Sequence, residues 1–184
     1  EAIVAALADG ISLSSHTHRE VEMAREIVRR FPSMQLLRFT NSGTEANLLA
    51  LALAVAHTGR RKVLVFDGAY HGGVLSFGGA AESVNVPHDW LLAPYNDLDA
   101  AAAHVERDSD KLAAILVEPM LGAGGCIPGT PDFLHGLRRR KQIDKAMEKL
   151  AAIKAVRTME RTQVVVLVLD ASQGVTEQDQ RIAR

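Results

Sequence analysis

Short apolar runs alternate along this chain with stretches of helical periodicity, and the alternation limits the folds open to it. Apolar runs that are continuous, rather than every second residue, are typical of strands buried on both faces. Each run ends in polar or glycine-rich residues, as a strand does at a turn. The runs predict five strands, over residues 36–40, 62–67, 90–94, 112–118 and 164–170.

The stretches between the runs predict helices, over residues 20–31, 44–57, 98–107 and 131 to about 161. Alternation of strand and helix favours a parallel sheet with helices on both faces. We therefore expect an α/β fold: a three-layer sandwich with a mainly parallel five-strand sheet, in a single domain over residues 1–184. Ligands of such sheets bind at the carboxyl ends of the strands.

The composition of the chain limits the kinds of partner that it is expected to bind. The formal net charge of −1 argues against nucleic acid and against electrostatic attachment to a membrane, so small molecules are the expected partners. Cys126 is the single cysteine, which excludes an internal disulfide. No leader segment opens the chain and no apolar run is long enough to span a bilayer, so we expect a cytoplasmic protein. The histidines have no metal-ligand spacing, and we expect no metal.

The segment RFTNSGTEANLLALALA runs from a predicted strand through a turn directly into a helix. Free backbone N–H groups at a helix start, beside a glycine and two hydroxyls, suit a phosphate, so Ser42, Gly43 and Thr44 are candidate phosphate-binding residues. The alternative is an ordinary capped helix, with Ser42 or Thr44 as the cap and Glu45 in the first turn.

Two further segments follow predicted strands. In VFDGAYHGG, Tyr70 and His71 lie just past a strand end, where an aromatic ring could stack on a flat heterocycle; a half-buried loop tyrosine is the alternative. In ILVEPMLGAGGCIPG, Glu118 ends a strand before a glycine-rich loop, where a capping or solvated glutamate is the alternative.

Taken in order, NSGTEAN, FDGAYHGG, APYNDLDA and VEPMLGAGGCIPGTPDFLHGLR resemble the class III aminotransferases, which use pyridoxal phosphate (PLP). Within that family the resemblance is closest to glutamate-1-semialdehyde aminomutase and covers residues 1–138. It implies part of the large domain of a fold type I PLP-dependent transferase. The family's sheet order, carried over to the five predicted strands in chain order, would be 3-2-4-5-1.

By this resemblance the turn Ser42–Gly43–Thr44 would hold the cofactor phosphate, with Tyr70 stacked on the pyridine ring and His71 beside it. Glu118 would line the substrate side. Ala123 departs from the asparagine that is common in the aminomutases, which puts one polar contact to the cofactor in doubt.

Residues 139–184 leave that pattern and resemble a segment of the tandem-domain ribosome-assembly GTPases, with VVVLVLDASQGVTEQD as the most similar part. Two families joined in one chain suggest a recombined, engineered protein. Asp170 would then end a strand where an aminotransferase has the aspartate that pairs with the pyridinium nitrogen. The alternative for Asp170 is a structural acid.

Both catalytic sets are incomplete in this sequence. PLP chemistry requires a lysine that binds the cofactor covalently, and no lysine occupies the expected position; GTP hydrolysis requires a P-loop, which is absent. We therefore expect a recombined scaffold with no catalytic residue. The alternatives are a residual PLP or phosphate binder and an aminomutase or transaminase completed by a partner chain. Uncovered sheet edges make a homodimer plausible.

Overall fold

The computed structural model describes residues 1–8, 10, 16–31, 36–79 and 84–137. Contacts group them into two compact units, one containing the described residues as far as Thr40 and the other those from Asn41 onward. The predicted single domain over residues 1–184 stays a prediction. Residues 139–184, with the predicted strand over 164–170, lie outside the described residues.

The first unit contains two helices, α1 (Ala2–Leu7) and α2 (His18–Arg30). Thr17 caps α2 reciprocally: its hydroxyl accepts from the backbone N–H of Glu20, and the Glu20 carboxylate accepts from that of Thr17. Such a capping box satisfies two amides that a helix start leaves without intrahelical partners. The predicted helix over residues 20–31 is confirmed, with an earlier start.

The strand predicted over residues 36–40 is wrong, because the backbone there belongs to no strand. A strand exists only where a neighbouring strand pairs with its backbone. The family's sheet order, carried over to this chain, would place 36–40 beside 164–170, which lies outside the described residues.

The second unit is built on a parallel sheet of three strands. In chain order it contains α3 (Gly43–Thr58), β1 (Lys62–Phe66), β2 (Ala69–Tyr70), β3 (Ser76–Phe77), β4 (Asp89–Ala93), α4 (Leu98–Asp108), β5 (Leu112–Ile115), β6 (Met120–Leu121) and β7 (Ile127–Pro128), followed by helical residues 131–137. The sheet order is β4-β1-β5, as predicted for these three strands. The other strands form two short antiparallel pairs, β2 with β3 and β6 with β7.

The central strand β1 is buried on both faces, which explains its continuous apolar sequence. Val63 and Val65 face one core cluster, which includes Leu51 of α3. Leu64 and Phe66 face the other, which is formed with α4 and residues 131–137. The order helix, sheet, helix is the predicted three-layer α/β architecture, and three of the five predicted strands are observed in it.

An ion-pair cluster joins the amino end of β1 to the carboxyl end of α4. The Lys62 ammonium donates to the buried Asp108 carboxylate at 2.6 Å, and the Arg107 guanidinium donates to its other oxygen at 2.9 Å. The hydrogen bond from Lys62 lowers the pKa of Asp108, burial opposes this, and the bond from Arg107 adds to the lowering. Lys62 is thereby held at the amino edge of the sheet.

No helix in the described part of the chain combines the length and the apolar character needed to cross a membrane.

Replacing Leu64 with alanine tests the two-sided burial of β1. Leu64 is fully buried, so Leu64→Ala should lower the free energy of unfolding by about 2–5 kcal/mol, measured by urea denaturation. Leu53→Ala is the matched control: it removes the same atoms from a residue of α3 that is 47% exposed, and it should lower the free energy of unfolding by less than about 1 kcal/mol. Equal losses from both replacements would contradict the fold.

Candidate functional site

The residues that the sequence singled out collect at the carboxyl edge of the sheet in the second unit. β1 runs into the short hairpin of β2 and β3, in which Tyr70 ends β2 and His71 follows it, and β5 runs into the loop that carries Glu118. Because the strands are parallel, their carboxyl ends meet at one edge. The start of α3 reaches the same place through its contacts with residues 71–73.

The turn before α3 caps the helix, and it also leaves backbone N–H groups available as hydrogen-bond donors. Ser42 is the N-cap: its hydroxyl accepts from Glu45 N–H at 3.2 Å and its carbonyl from Ala46 N–H at 3.1 Å. The backbone amides of Gly43 and Thr44 make no hydrogen bond within the described residues. The capped-helix interpretation is therefore correct, and it leaves two helix-start amides for an anion.

Open space lies beside those amides. A Cβ built on Gly43 would meet no atom within 4 Å. The Glu45 carboxylate, which could have competed for the same amides, accepts instead from Asn41 N–H at 2.9 Å. The turn can therefore accept a small anion without displacing a hydrogen bond of the described chain.

The side chain of Thr44 joins the turn to the loop after β2. Gly73 N–H donates to the Thr44 hydroxyl at 3.3 Å. Gly72 has a φ of 136°, and a Cβ there would lie 2.8 Å from Thr44 Cα and closer still to its hydroxyl. Only glycine fits at this position, for reasons both of conformation and of space.

A buried hydrogen bond strengthens this junction. The Asn47 side-chain amide donates to the His71 carbonyl at 2.8 Å, and both residues are buried. Sequence reasoning missed Asn47. The signal was available, because Asn47 belongs to the NSGTEAN segment and lies one helical turn after Gly43. Its partner is 24 residues away, which local patterns do not reveal.

The ring of His71 is buried without a hydrogen bond at one nitrogen. His71 is 7% exposed, its ring centroid lies 6.2 Å from that of Phe77, and its Nε2 has no partner among the described residues. Burial lowers its pKa from 6.5 to about 4, because the charged imidazolium would lose its hydration. His71 is therefore neutral near pH 7.

Glu118 connects the two loops at this edge. One carboxylate oxygen accepts from Tyr70 N–H at 2.7 Å and the other from Gly122 N–H at 3.1 Å. The Glu118 carbonyl accepts from the Tyr95 hydroxyl at 2.8 Å, and burial, with a smaller effect from the Glu118 charge, raises the pKa of Tyr95 to about 12. The Tyr70 residue itself is 49% exposed.

The structure thus brings six of the seven candidate residues to one edge, linked through hydrogen bonds between the start of α3 and the two loops. They are Ser42, Gly43, Thr44, Tyr70, His71 and Glu118. Asp170 lies outside the described residues. Which of the seven contacts a cofactor stays a prediction.

A cavity of about 300 Å³ lies at the opposite, amino edge of the sheet. Arg61 and Lys62 line it, and each is close to an acid: Arg61 is 3.8 Å from Asp89, and Lys62 is 2.6 Å from Asp108. The positive charges of Arg61 and Lys62 are partly neutralised by these acids. We therefore place the candidate site at the carboxyl edge, where the unused amides are.

Residues 1–147 match the family described as Aminotransferase class-III. A beta-phenylalanine transaminase of Variovorax paradoxus is 54% identical over 138 residues, which are 75% of this chain and 32% of that protein. The crystal structure of a beta-phenylalanine aminotransferase from that species superposes with a TM-score of 0.72 and 52% identity, covering 78% of this chain and 34% of the other.

A glutamate-1-semialdehyde 2,1-aminomutase of Cytophaga hutchinsonii is 39% identical over 152 residues, covering 75% of this chain and 35% of that protein. The chain therefore spans about a third of the length of these relatives. The predicted family is confirmed. The prediction that aminomutases resemble the chain best is wrong, because the transaminase is the more similar of the two. The family match extends past Arg138 to residue 147, and the GTPase resemblance of residues 139–184 has no support among these relatives.

The buried His71 predicts a pH dependence of stability. Above pH 6.5 the imidazole is neutral in both states; between pH 6.5 and about 4 only the unfolded chain binds the proton; below about 4 both do. The free energy of unfolding should therefore fall by about 3 kcal/mol as the pH drops through this window.

Urea denaturation between pH 7 and 4 measures this contribution, which His71→Leu should remove. His57→Leu, at an exposed histidine of α3, is the matched control. A pH dependence that both replacements flatten equally would contradict the account of His71.

Proposed function

This chain belongs to the class III aminotransferases, and we propose that it forms the part of a PLP-dependent aminotransferase that binds the cofactor phosphate and lies against the cofactor ring. The chain covers about a third of its relatives, so the activity of a whole enzyme is part of the proposal. Members of the family use PLP, which supplies an electron sink for carbanions next to the bound amine.

One observation carries the proposal: the unused amides of Gly43 and Thr44 lie at a helix start beside open space. A phosphate there would accept from both amides and would gain from the positive end of the α3 dipole. Ser42 shapes the turn by capping α3, and the Thr44 hydroxyl holds it against Gly73.

The remaining candidates would serve the ring of the cofactor. Tyr70 directly precedes the residues that are bonded to α3, His71 and Gly73, and its 49% exposure leaves it available for stacking. His71 is neutral and buried next to it. Asp170 would pair with the pyridinium nitrogen, a role that rests on the resemblance alone.

Amino-group transfer is the reaction that we propose for the enzyme containing these residues. The higher identity to a beta-phenylalanine transaminase than to an aminomutase favours transamination over internal rearrangement. By the same argument an amino acid of the β-phenylalanine type is the proposed substrate class.

The chain by itself is proposed to bind PLP weakly and to lack the covalent step. Within the described residues the lysines are Lys62, which is ion-paired at the amino edge, and Lys111, which precedes β5. Neither is at the carboxyl edge, where the cofactor would lie. A recombined origin with a GTPase-like end, and association as a homodimer, remain proposals from the sequence.

Filling the space at Gly43 tests the proposed phosphate site. Because a Cβ at this position would meet no atom within 4 Å, Gly43→Leu should fold, yet its side chain would occupy the place of the phosphate. We expect at least about a tenfold loss of affinity for PLP, followed by absorbance, and for inorganic phosphate, followed by calorimetry.

Ala52→Leu adds a side chain of the same final size on the exposed face of α3 and should leave both affinities unchanged. Asp170→Ala should change the affinity for PLP little, because binding rests on the phosphate and on stacking against Tyr70. Unchanged PLP affinity in Gly43→Leu, or no binding by the original chain, would refute the proposed site. A loss in Asp170→Ala as large as that in Gly43→Leu would show that Asp170 contributes to an intact cofactor site.

A further inference from the structure

The two glycine-rich loops at the carboxyl edge are connected by one carboxylate. Glu118 accepts from Tyr70 N–H with one oxygen, at 2.7 Å, and from Gly122 N–H with the other, at 3.1 Å. The two donors lie in segments that follow different strands of the parallel sheet, β1 and β5, and Tyr70 is 48 residues from Glu118 along the chain.

The loops also approach each other closely where they lack side chains. A Cβ on Gly124 would lie 2.6 Å from the Gly68 carbonyl oxygen and 3.2 Å from Leu121 Cβ. A Cβ on Gly68 would lie 3.4 Å from Leu121 Cδ1. Apolar contact joins the loops as well, since Leu121 is buried in one core cluster with Ala69, Leu75 and Phe77. Apolar contact has no direction, whereas hydrogen bonds such as those of Glu118 fix the direction of individual backbone amides.

The backbone of Glu118 is itself held in place. Its carbonyl accepts from the Tyr95 hydroxyl at 2.8 Å. The Tyr95 ring packs edge-on against Phe66 of β1, with centroids 6.2 Å apart, and against Phe133, at 5.2 Å. The carboxylate is thus anchored to the buried core.

We infer that Glu118 is a positioning residue: its carboxylate holds Tyr70 and the loop around Gly122 in one fixed arrangement. The effect of Glu118 on PLP binding rests on the proposed function, since Tyr70 is the residue proposed to face the cofactor ring. The expectation that Glu118 lines the substrate side stays a prediction.

The chemistry of the side chain makes the role specific. A carboxylate presents acceptors at both ends, and both partners are N–H donors. Glutamine has the same shape, but one of its two oxygens is replaced by an NH₂ group. That NH₂ group would lie against a backbone N–H, and two donors cannot form a hydrogen bond with each other. Glu118→Gln should therefore lose one of the two bonds while keeping the volume of the side chain.

Amide hydrogen exchange, followed residue by residue by NMR, measures these bonds directly. Glu118→Gln should raise the exchange rate of the Tyr70 or the Gly122 amide at least about tenfold, the loss expected for a hydrogen bond to a charged group. The amides of Val63 to Phe66 in β1 should keep their rates. Glu22→Gln, an exposed glutamate of α2, makes the same chemical change and should alter neither loop.

Unchanged rates at both amides, or rates that rise equally in β1, would overturn the inference. A second measurement separates positioning from general damage: Glu118→Gln should weaken PLP binding about tenfold and leave the affinity for inorganic phosphate unchanged, because the phosphate turn is not bonded to Glu118. Equal losses of both ligands would also overturn it. If the original chain binds neither ligand, the proposed function fails while the exchange rates still decide the role of Glu118.

Discussion

The burial of β1 on both faces is the constraint on which the rest of the second unit depends. Val63, Leu64, Val65 and Phe66 are fully buried, so helices must cover both faces of the sheet. Parallel strands can be joined only through crossovers, and α4 is the crossover from β4 to β5, the two strands that flank β1. The carboxyl ends of β1 and β5 therefore lie side by side, and their loops meet.

Where those loops meet, over a core cluster that includes Ala69 and Leu121, the polar contacts are bonds from side chains to backbone groups. Gly73 N–H, the His71 carbonyl, Tyr70 N–H and Gly122 N–H are each bonded by one side chain, from Thr44, Asn47 or Glu118. Such bonds fix positions without filling the edge with side chains. The result is a rim with open space next to two helix-start amides, which is the arrangement that a small anionic ligand requires.

The sequence predicted the parts of this structure that depend on local patterns. β1, β4 and β5 follow from their apolar runs, and α3 follows from its cap and periodicity, since these signals lie within a few residues. The proximity of Tyr70 and Glu118 followed from the rule that parallel strands present their carboxyl ends together.

Features that depend on distant pairing were not predicted. The strand over residues 36–40 was wrong because strand formation requires a neighbour that the local sequence does not supply. Asn47 and His71, which share one bond, lie 24 positions apart, and Glu118 and Tyr70 lie 48 positions apart. The second bond of Glu118, from Gly122, is the local one. The greater similarity to a transaminase than to an aminomutase emerged only from identity over the whole matched region, since motifs common to a family do not separate its members.

The most direct test of the account is the response of individual amide resonances to PLP and to inorganic phosphate. The account predicts saturable chemical-shift changes at Gly43 and Thr44 with both ligands, and additional changes at Tyr70 and His71 with PLP alone. Changes confined to the cavity at the amino edge, around Arg60 and Lys111, with none at Gly43 and Thr44, would contradict it.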